Sequence, residues 1–465
     1  MLEQDNISFW VKSAVSNGHY QDAQIPPPLH GQSQFDVAII GGGFTGLWLA
    51  YYLKKAQPEW SIAIFEANQI AYGASGRNGG WLSSHMPGLS SVFQKSGSSL
   101  DDVRLFQKEI TRTVDEVKHI CQLEDIDCDL YEGGMLTMST NRAQSYRLRE
   151  TYKHDLDLGF DTDDMVLLTG LQVKEKINVA HADSGLWYRK GARIQPAKLA
   201  FGLKNVLSQL GVFMYENTPV SGFSPKHVQV AGFHIQADHV MCCTEGYTEA
   251  LVHSGKVVPM NSSVIATEIL PDSFWQQANW HGRELFSDAS HLFFYAQRTE
   301  DNRIVIGGRG KPYQYNSQTV GHGELDRPTL DFLYGRLTQL FPYFPMKIEH
   351  SWRGSFGLTR DWCPSVSYDS NTQIGSVYGF GGSGVAGTNL AARTLCSRIL
   401  KQDTALNRLP WNNFINPKWE PEPLRWTGIH TMYKLLKIAD AKEHTQKPDK
   451  TTWLARQVYG FCGIK

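Results

Sequence analysis

Asp36-Val-Ala-Ile-Ile-Gly-Gly-Gly-Phe-Thr-Gly46 is the stretch on which the fold turns. Its first five residues read as a short strand buried on both faces, and glycines follow directly. The apolar stretch from Leu47 to Leu53 is long enough for a helix, and Ile62-Ala-Ile-Phe65 reads as a second strand. The order is β-α-β. Within it Gly41, Gly43 and Gly46 satisfy G-x-G-x-x-G: Gly41 permits the tight turn, Gly43 lets backbone approach a pyrophosphate, and Gly46 lets helix and strand pack closely. Phe44 and Thr45 open the helix, whose amino terminus then faces the phosphates. Glu66, followed by Ala67, ends the second strand twenty positions after Gly46, where a carboxylate accepts hydrogen bonds from both ribose hydroxyls of an adenosine.

Outward from this unit, 465 residues are enough for two to four structural units with a large buried core. Lys plus Arg number 45 against 46 Asp plus Glu, which leaves no basic surplus for nucleic acid or anionic lipid. Seven cysteines without C-x-x-C spacing argue against a disulfide framework and a structural zinc site, and no metal constellation is evident. No apolar run approaches a membrane span and no signal segment opens the chain, so a soluble, unprocessed, cytoplasmic protein is expected. Residues 1–34 read as a lead-in, polar apart from Phe9, Trp10 and Val11 and closing on Pro26, Pro27 and Pro28. The middle mixes a helix from Asp101 to Leu123 with strand-like runs at Gly134–Met138, Ser263–Ile269 and Arg303–Ile306, as in a second unit interleaved with the first. Beyond Lys401 the composition changes, and Ile429, Met432, Tyr433, Leu436 and Ala439 fall on one helical face, marking an appendage over 401–465.

The β-α-β fingerprint does not choose between NAD and FAD. The choice rests on Gly73-Ala-Ser-Gly-Arg-Asn-Gly-Gly80, a small-residue loop that lets backbone run along a flat cofactor and aims amide donors at it. With this segment the chain resembles the D-amino-acid-oxidase-like superfamily of flavoenzymes, and most closely its gamma-glutamylputrescine oxidase-like branch. The resemblance extends from Phe35 to about Leu400 through Gln195-Pro196-Ala-Lys198-Leu199, Asn217-Thr-Pro-Val220, Asp238 to Tyr247, Arg303 to Gly308, Trp352 to Asp361, and Val377 to Thr388. Glu245 departs from the family's asparagine. The resemblance implies an α/β fold: a Rossmann-like FAD-binding domain (35–85, 185–255 and 350–400) with an interleaved α+β substrate domain built on a mixed antiparallel sheet (86–184 and 256–349). It also implies FAD contacts from Ser75, Gly76, Arg77, Asn78, Gly79, Gly80, Val220, Thr244, Gly246 and Gly354.

Gly381, Gly384 and Gly387 after a strand also fit a separate NADPH fold. After the helix through Ile399, however, the chain runs into Leu409-Pro-Trp-Asn-Asn, with no second strand ending in an acid at the required distance. The loop is therefore expected under the flavin pyrimidine, where the helix amino terminus at Thr388 and Asn389 holds the charge that builds on reduction. The family's covalent attachments are a histidine where this chain has Arg77 and a cysteine where it has Gly354, so the FAD is expected to be non-covalent. His85 and Cys363 lie close in sequence but read as packed residues.

The resemblance implies that an uncharged amine gives hydride to flavin N5, and that the resulting imine hydrolyses to an aldehyde or oxo acid plus amine or ammonia. Oxygen or another redox carrier then takes the electrons; Val305 stands where sarcosine oxidases carry an oxygen-assisting lysine. Family members acting on simple amino acids hold the carboxylate with an arginine at the position of Phe356, which counts against glycine and D-amino acids. Trp81, Tyr295, Arg309 and Arg353 join Phe356 as pocket candidates. Two alternatives stay open: the same fold acting on a D-amino acid, imino acid or 2-hydroxy acid, and a non-catalytic FAD-binding subunit. The carboxy-terminal segment is a further candidate for contacts with a partner or a second copy.

Overall fold

The computed structural model describes residues 8–462 except 21–28, 30–32, 88–92, 94–96, 231, 320 and 322. Pro26, Pro27 and Pro28 lie outside the described residues.

The strand–turn–helix–strand unit forms as its sequence requires. Gln34–Ile40 pairs in parallel with Ile62–Phe65 on one side and with Phe233–Cys242 on the other. The sheet continues outward through Phe213–Tyr215 at one edge and Ile374–Tyr378 and Ser365–Asp369 at the other, the last pair antiparallel. The hairpin Val220–Ser224 and His227–Val230 extends from Phe233–Cys242. The helices Phe44–Ala56, Gly384–Ile399 and Leu100–Leu123 stack beside this sheet. The last is fixed locally: the Ser99 side chain caps it by accepting from the Asp102 amide, Asp101 and Asp102 sit in its positive first turn, and Val103, Phe106, Ile110, Val114, Val117 and Ile120 bury one face.

A second, mixed sheet of eight strands runs in the order Ile348–Thr359, Val257–Thr267, Ile304–Gly308, Tyr295–Arg298, Leu285–Asp288, Met135–Ser139, Ser184–Tyr188, Met165–Thr169. This membership moves two expected borders. The strand Ser184–Tyr188, all but its first residue placed with the dinucleotide unit by sequence, pairs between Met135–Ser139 and Met165–Thr169. Ile348–Thr359, expected in the dinucleotide unit from residue 350 on, belongs as a whole to the second sheet, because it pairs with Val257–Thr267 along that strand's whole length. The strand expected to run to Ile269 ends at Thr267, and Ile269 lies beyond it, exposed.

Both chain ends do more than the sequence suggested. Phe9–Ser16 is a helix whose Phe9, Trp10, Val11 and Ala14 are buried in the main core, so the lead-in contributes packing. Trp411, in the expected appendage, is fully buried against Phe106. The helices Leu424–Gln446 and Trp453–Cys462 pack on each other and dock on the second sheet's side through a polar clasp. There Glu443 accepts from Arg147 at 2.8 Å and lies 3.0 Å from His291 Nε2, while both Asp440 oxygens accept from the amides of His291 and Leu292. His291, Asp440 and Glu443 are close enough to hold a metal ion. The Arg147 guanidinium already fills the cationic place, and both oxygens of Asp440 are engaged, so the cluster is a docking contact. Among the described residues no helix is long and apolar enough to cross a membrane.

Candidate active site

The dinucleotide end is built by close approach. Gly41 has φ of 107°, and a Cβ there would lie 2.6 Å from the Cys243 carbonyl oxygen; one on Gly46 would lie 2.1 Å from the Gly41 carbonyl oxygen. Gly43 stands at the N-cap of Phe44–Ala56 without a side-chain cap, and the Phe44 amide donates to Ser75 Oγ at 2.8 Å. Thr45 and Gly46 are buried in that first turn, so an anion can take the remaining donors. Glu66 ends its strand with Oε2 accepting from the Gly42 amide at 2.8 Å and Oε1 from the Asn68 amide at 2.9 Å. Burial pushes its carboxyl up, and those amides oppose the shift. The turn before Val220 is stitched to the same place, Thr218 donating to the Glu66 carbonyl and Asn217 to that of Asn68. Ala67 beside them is exposed. An uncapped helix start, a carboxylate at the strand end and glycines that admit no side chain together fit a dinucleotide.

The loop Gly73–Gly80 is held by its carbonyls. Asn78 Nδ2 donates to those of Ala74 and Ser75, Ser8 Oγ to Gly76, Trp352 Nε1 to Arg77, Trp10 Nε1 to Asn78, Gln297 Nε2 to Gly79, and the Ile194 amide to Gly80. Every carbonyl from Ala74 to Gly80 is thus paired within the protein, which holds this part of the loop in place. Of these side-chain donors only Asn78 lies in the loop itself. Ser8, Trp10, Gln297 and Trp352 come from segments far away along the chain, and a buried Ser-Phe-Trp at the amino end was the one available hint.

Glu245 occupies the centre of the second glycine loop. Its backbone is left-handed, with φ of 47°, and its carboxylate accepts from the amides of Gly357 at 3.0 Å, Gly379 at 2.8 Å and Phe380 at 3.2 Å. Burial raises it to about 7 against the pull of these three donors. Thr244 precedes it, its hydroxyl 3.1 Å from that of Thr248, and a Cβ on Gly246 would meet the Phe356 backbone at 3.1 Å. A Cβ on Gly381 would lie 2.9 Å from Pro87, one on Gly387 2.4 Å from Met86, and Gly384 opens the helix. Thr388 and Asn389 do not form its amino terminus. The left-handed Gly379, Gly381 and Gly382 compress the turn, so the helix starts one turn earlier; Thr388 bonds back to Val385, and Asn389 donates to the Tyr52 hydroxyl.

Strand register assigns the substrate candidates to faces, because residues opposite each other and alternate residues along a strand share one. Tyr295 pairs with Gly307, Gly307 with Val264, Val264 with Trp352, Ser262 with Gly354 and Met260 with Phe356. That face meets the first glycine loop: a Cβ on Gly79 would strike the Tyr295 ring at 2.4 Å, and one on Gly354 would lie 3.0 Å from Arg77 Cβ. Tyr295 donates to or accepts from Ser262 at 2.8 Å and meets Trp81 edge-on at 6.3 Å. The Trp81 indole N–H is buried and has no hydrogen-bond partner among the described residues. Arg309 lies over the Phe356 ring, 4.9 Å from its centroid. Arg353 is not part of this cluster. It pairs with Ser263, which pairs with Gly308, on the opposite face; helix Arg327–Leu340 covers that face with Leu333. Val305 is buried in its strand. His85 packs against Phe160 and Tyr188, and Cys363 is buried with its thiol raised by burial.

Two glycine-rich turns at the edge of a parallel sheet, facing an aromatic-walled second sheet, define a dinucleotide-dependent oxidoreductase. Residues 36–398 match the family described as FAD dependent oxidoreductase (DAO), and the chain belongs to that family. It is 27% identical over 376 residues to gamma-glutamylputrescine oxidoreductase of Escherichia coli (strain K12), covering 79% of this chain and 84% of the relative. It is 25% identical over 409 residues to a probable oxidoreductase OrdL of Haemophilus influenzae, covering 85% and 90%. Among solved structures, glycine oxidase from Geobacillus kaustophilus superposes with a TM-score of 0.67 at 19% identity, covering 83% of this chain and all of that one. The protein is an FAD-binding enzyme of this fold.

Proposed function

We propose that the enzyme oxidises the carbon–nitrogen bond of a primary or secondary amine taken up as the neutral base. FAD supplies the electron sink: the α-carbon gives up a hydrogen with its bonding pair, the nitrogen lone pair closes the C=N bond, and water splits the imine into a carbonyl compound and a released amine or ammonia, oxygen or another carrier taking the electron pair. The chain's own residues bind and orient. The observation that carries this reading is the aromatic lining of the sheet face opposite the first glycine loop: among the described residues Trp81, Tyr295, Ser262, Arg309, Trp352 and Phe356 line it without a carboxylate, and the imidazole on that face, His350, stands beyond Trp352 from Phe356 and packs on Phe9 at 4.9 Å. A hydroxy acid needs a group to take its O–H proton as the C–H pair departs, whereas a neutral amine needs none. Burial raises the Tyr295 phenol, which stays protonated and serves as a hydrogen-bonding wall. The relatives that act on amines and glycine point the same way.

The test is anaerobic flavin reduction across amines, amino acids and 2-hydroxy acids, followed by stopped flow at several pH values. Fast reduction by an amine, rising toward alkaline pH as the free base accumulates, is expected. Reduction by lactate or D-alanine with every amine inert refutes the assignment.

A further inference from the structure

We infer that Arg309 is the receptor for an anionic group at the end of the substrate remote from the reacting amine, so that the preferred substrates are amino acids with the two groups several carbons apart. This rests on the amine reading above and deepens it.

Three observations lead here. First, Arg309 is half-buried and, among the described residues, makes neither a hydrogen bond nor an ion pair; its contact is the face of the Phe356 ring at 4.9 Å. A guanidinium withdrawn from water is normally matched by a carboxylate, and the aromatic face leaves its planar fork of donors unspent. Second, Arg309 belongs to the face that meets the first glycine loop. Gly307 lies on that face beneath Tyr295, and Arg309, the first residue past the strand's end, is placed there by its contact with Phe356 on the same face. The other arginine that sequence offered, Arg353, leaves the sheet on the opposite side. Third, the position is offset. The glycine loop meets the face at the Gly79–Tyr295 contact, and Arg309 stands two residues past Gly307, just beyond the strand's end and up to about 7 Å further on in extended chain. An α-amino acid, whose carboxylate and amine share one carbon, cannot bridge that interval, whereas a longer ω-amino acid can. Phe356 is both the platform that fixes the guanidinium and the reason an anion is not received at its own position.

The experiment uses the FAD-loaded enzyme and the unbranched ω-amino acids from 3-aminopropanoate to 6-aminohexanoate, each against the n-alkylamine of equal carbon number, in wild type, Arg309→Met and Arg309→Lys. Wild type is expected to favour the amino acid in kcat/KM, with an optimum among the longer members. Arg309→Met is expected to collapse that preference about tenfold or more, mainly through KM, and Arg309→Lys to keep part of it, as loss of a charge-assisted hydrogen bond requires. Equal preference in wild type and Arg309→Met overturns the inference. Calorimetric titration with pentanoate, which has no amine to oxidise, separates this from a failure of the amine reading. Pentanoate binding present in wild type and lost in Arg309→Met supports the inference even if no amine is turned over. Binding unchanged by the substitution, or undetectable in wild type, overturns it. Should Arg309→Met purify without flavin, Arg309→Lys decides the same comparison by its KM-against-kcat split.

Discussion

Replacing Glu245 by glutamine is expected to change how stability depends on pH, with a sign set by the surroundings of the carboxylate. Among the described residues Glu245 has no cationic partner; three backbone amides hold it, and burial still lifts it from 4.5 to about 7. A carboxyl raised on folding stabilises the protein below its unfolded value and loses that contribution as pH climbs through the folded one, here between about 4.5 and 7. A shift of roughly 2.5 units corresponds to about 3 kcal/mol at 1.36 kcal/mol per unit. Glutamine resembles the protonated carboxyl, including its one awkward donor facing an amide. Glu245→Gln is therefore expected to match wild type near pH 5 and to exceed it by up to about 3 kcal/mol above pH 7.5. For a chain of this size, with an unfolding entropy near 1 kcal/mol/K, that is on the order of 3 °C. The assay is thermal unfolding of both proteins from pH 5 to 8 at saturating FAD, read as the difference between the two so that ligand linkage cancels. Parallel curves across that range would refute the reasoning. They would mean that the amide cradle fully compensates the buried charge.

Glu443 should behave in the opposite sense. Although burial opposes it, the His291 contact and the Arg147 guanidinium hold its carboxyl at about 2, so the clasp's stabilisation is present above pH 4.5 and lost as pH falls toward 2. Limited proteolysis should release the carboxy-terminal helices in acid first, and Arg147→Met should shift that release to higher pH. Gly46→Ala puts a methyl 2.1 Å from backbone and should purify poorly or without flavin, as seen in the absorbance ratio of flavin to protein. Trp10→Phe removes the donor to the Asn78 carbonyl and should weaken FAD retention about tenfold, measured by fluorescence titration of apoprotein; an unchanged Kd would show that the loop does not need this tether. Acid precipitation should leave all flavin in the supernatant, since Arg77 and Gly354 occupy the places of the attaching histidine and cysteine.

The elements that were legible in sequence are those whose constraints are local. Gly41 must take a positive φ and Gly46 must admit the Gly41 carbonyl within a turn of six residues, so the strand, the turn and the helix declare themselves in eleven consecutive letters. Glu66 follows because a short helix and a return strand leave little freedom in spacing. The helix expected from Asp101 to Leu123 forms as Leu100–Leu123, its apolar residues recurring along the one face it buries.

Tertiary structure decided whatever depends on register or on a partner far along the chain. Arg309 and Arg353 are equally plausible as letters; pairing with Val257–Thr267 sends one toward the glycine loop and the other beneath Arg327–Leu340, and a slip by one residue would exchange them. The start of the second helix moved from Thr388 to Gly384 because three left-handed glycines shorten the turn, a choice of backbone conformation that composition leaves free. The tethers of the first loop, from Ser8, Trp10, Gln297 and Trp352, follow no local rule, since a buried carbonyl needs a donor but does not specify which one. Sequence determined that a dinucleotide fold would form here; only packing determined which of the two arginines faces its glycine loop.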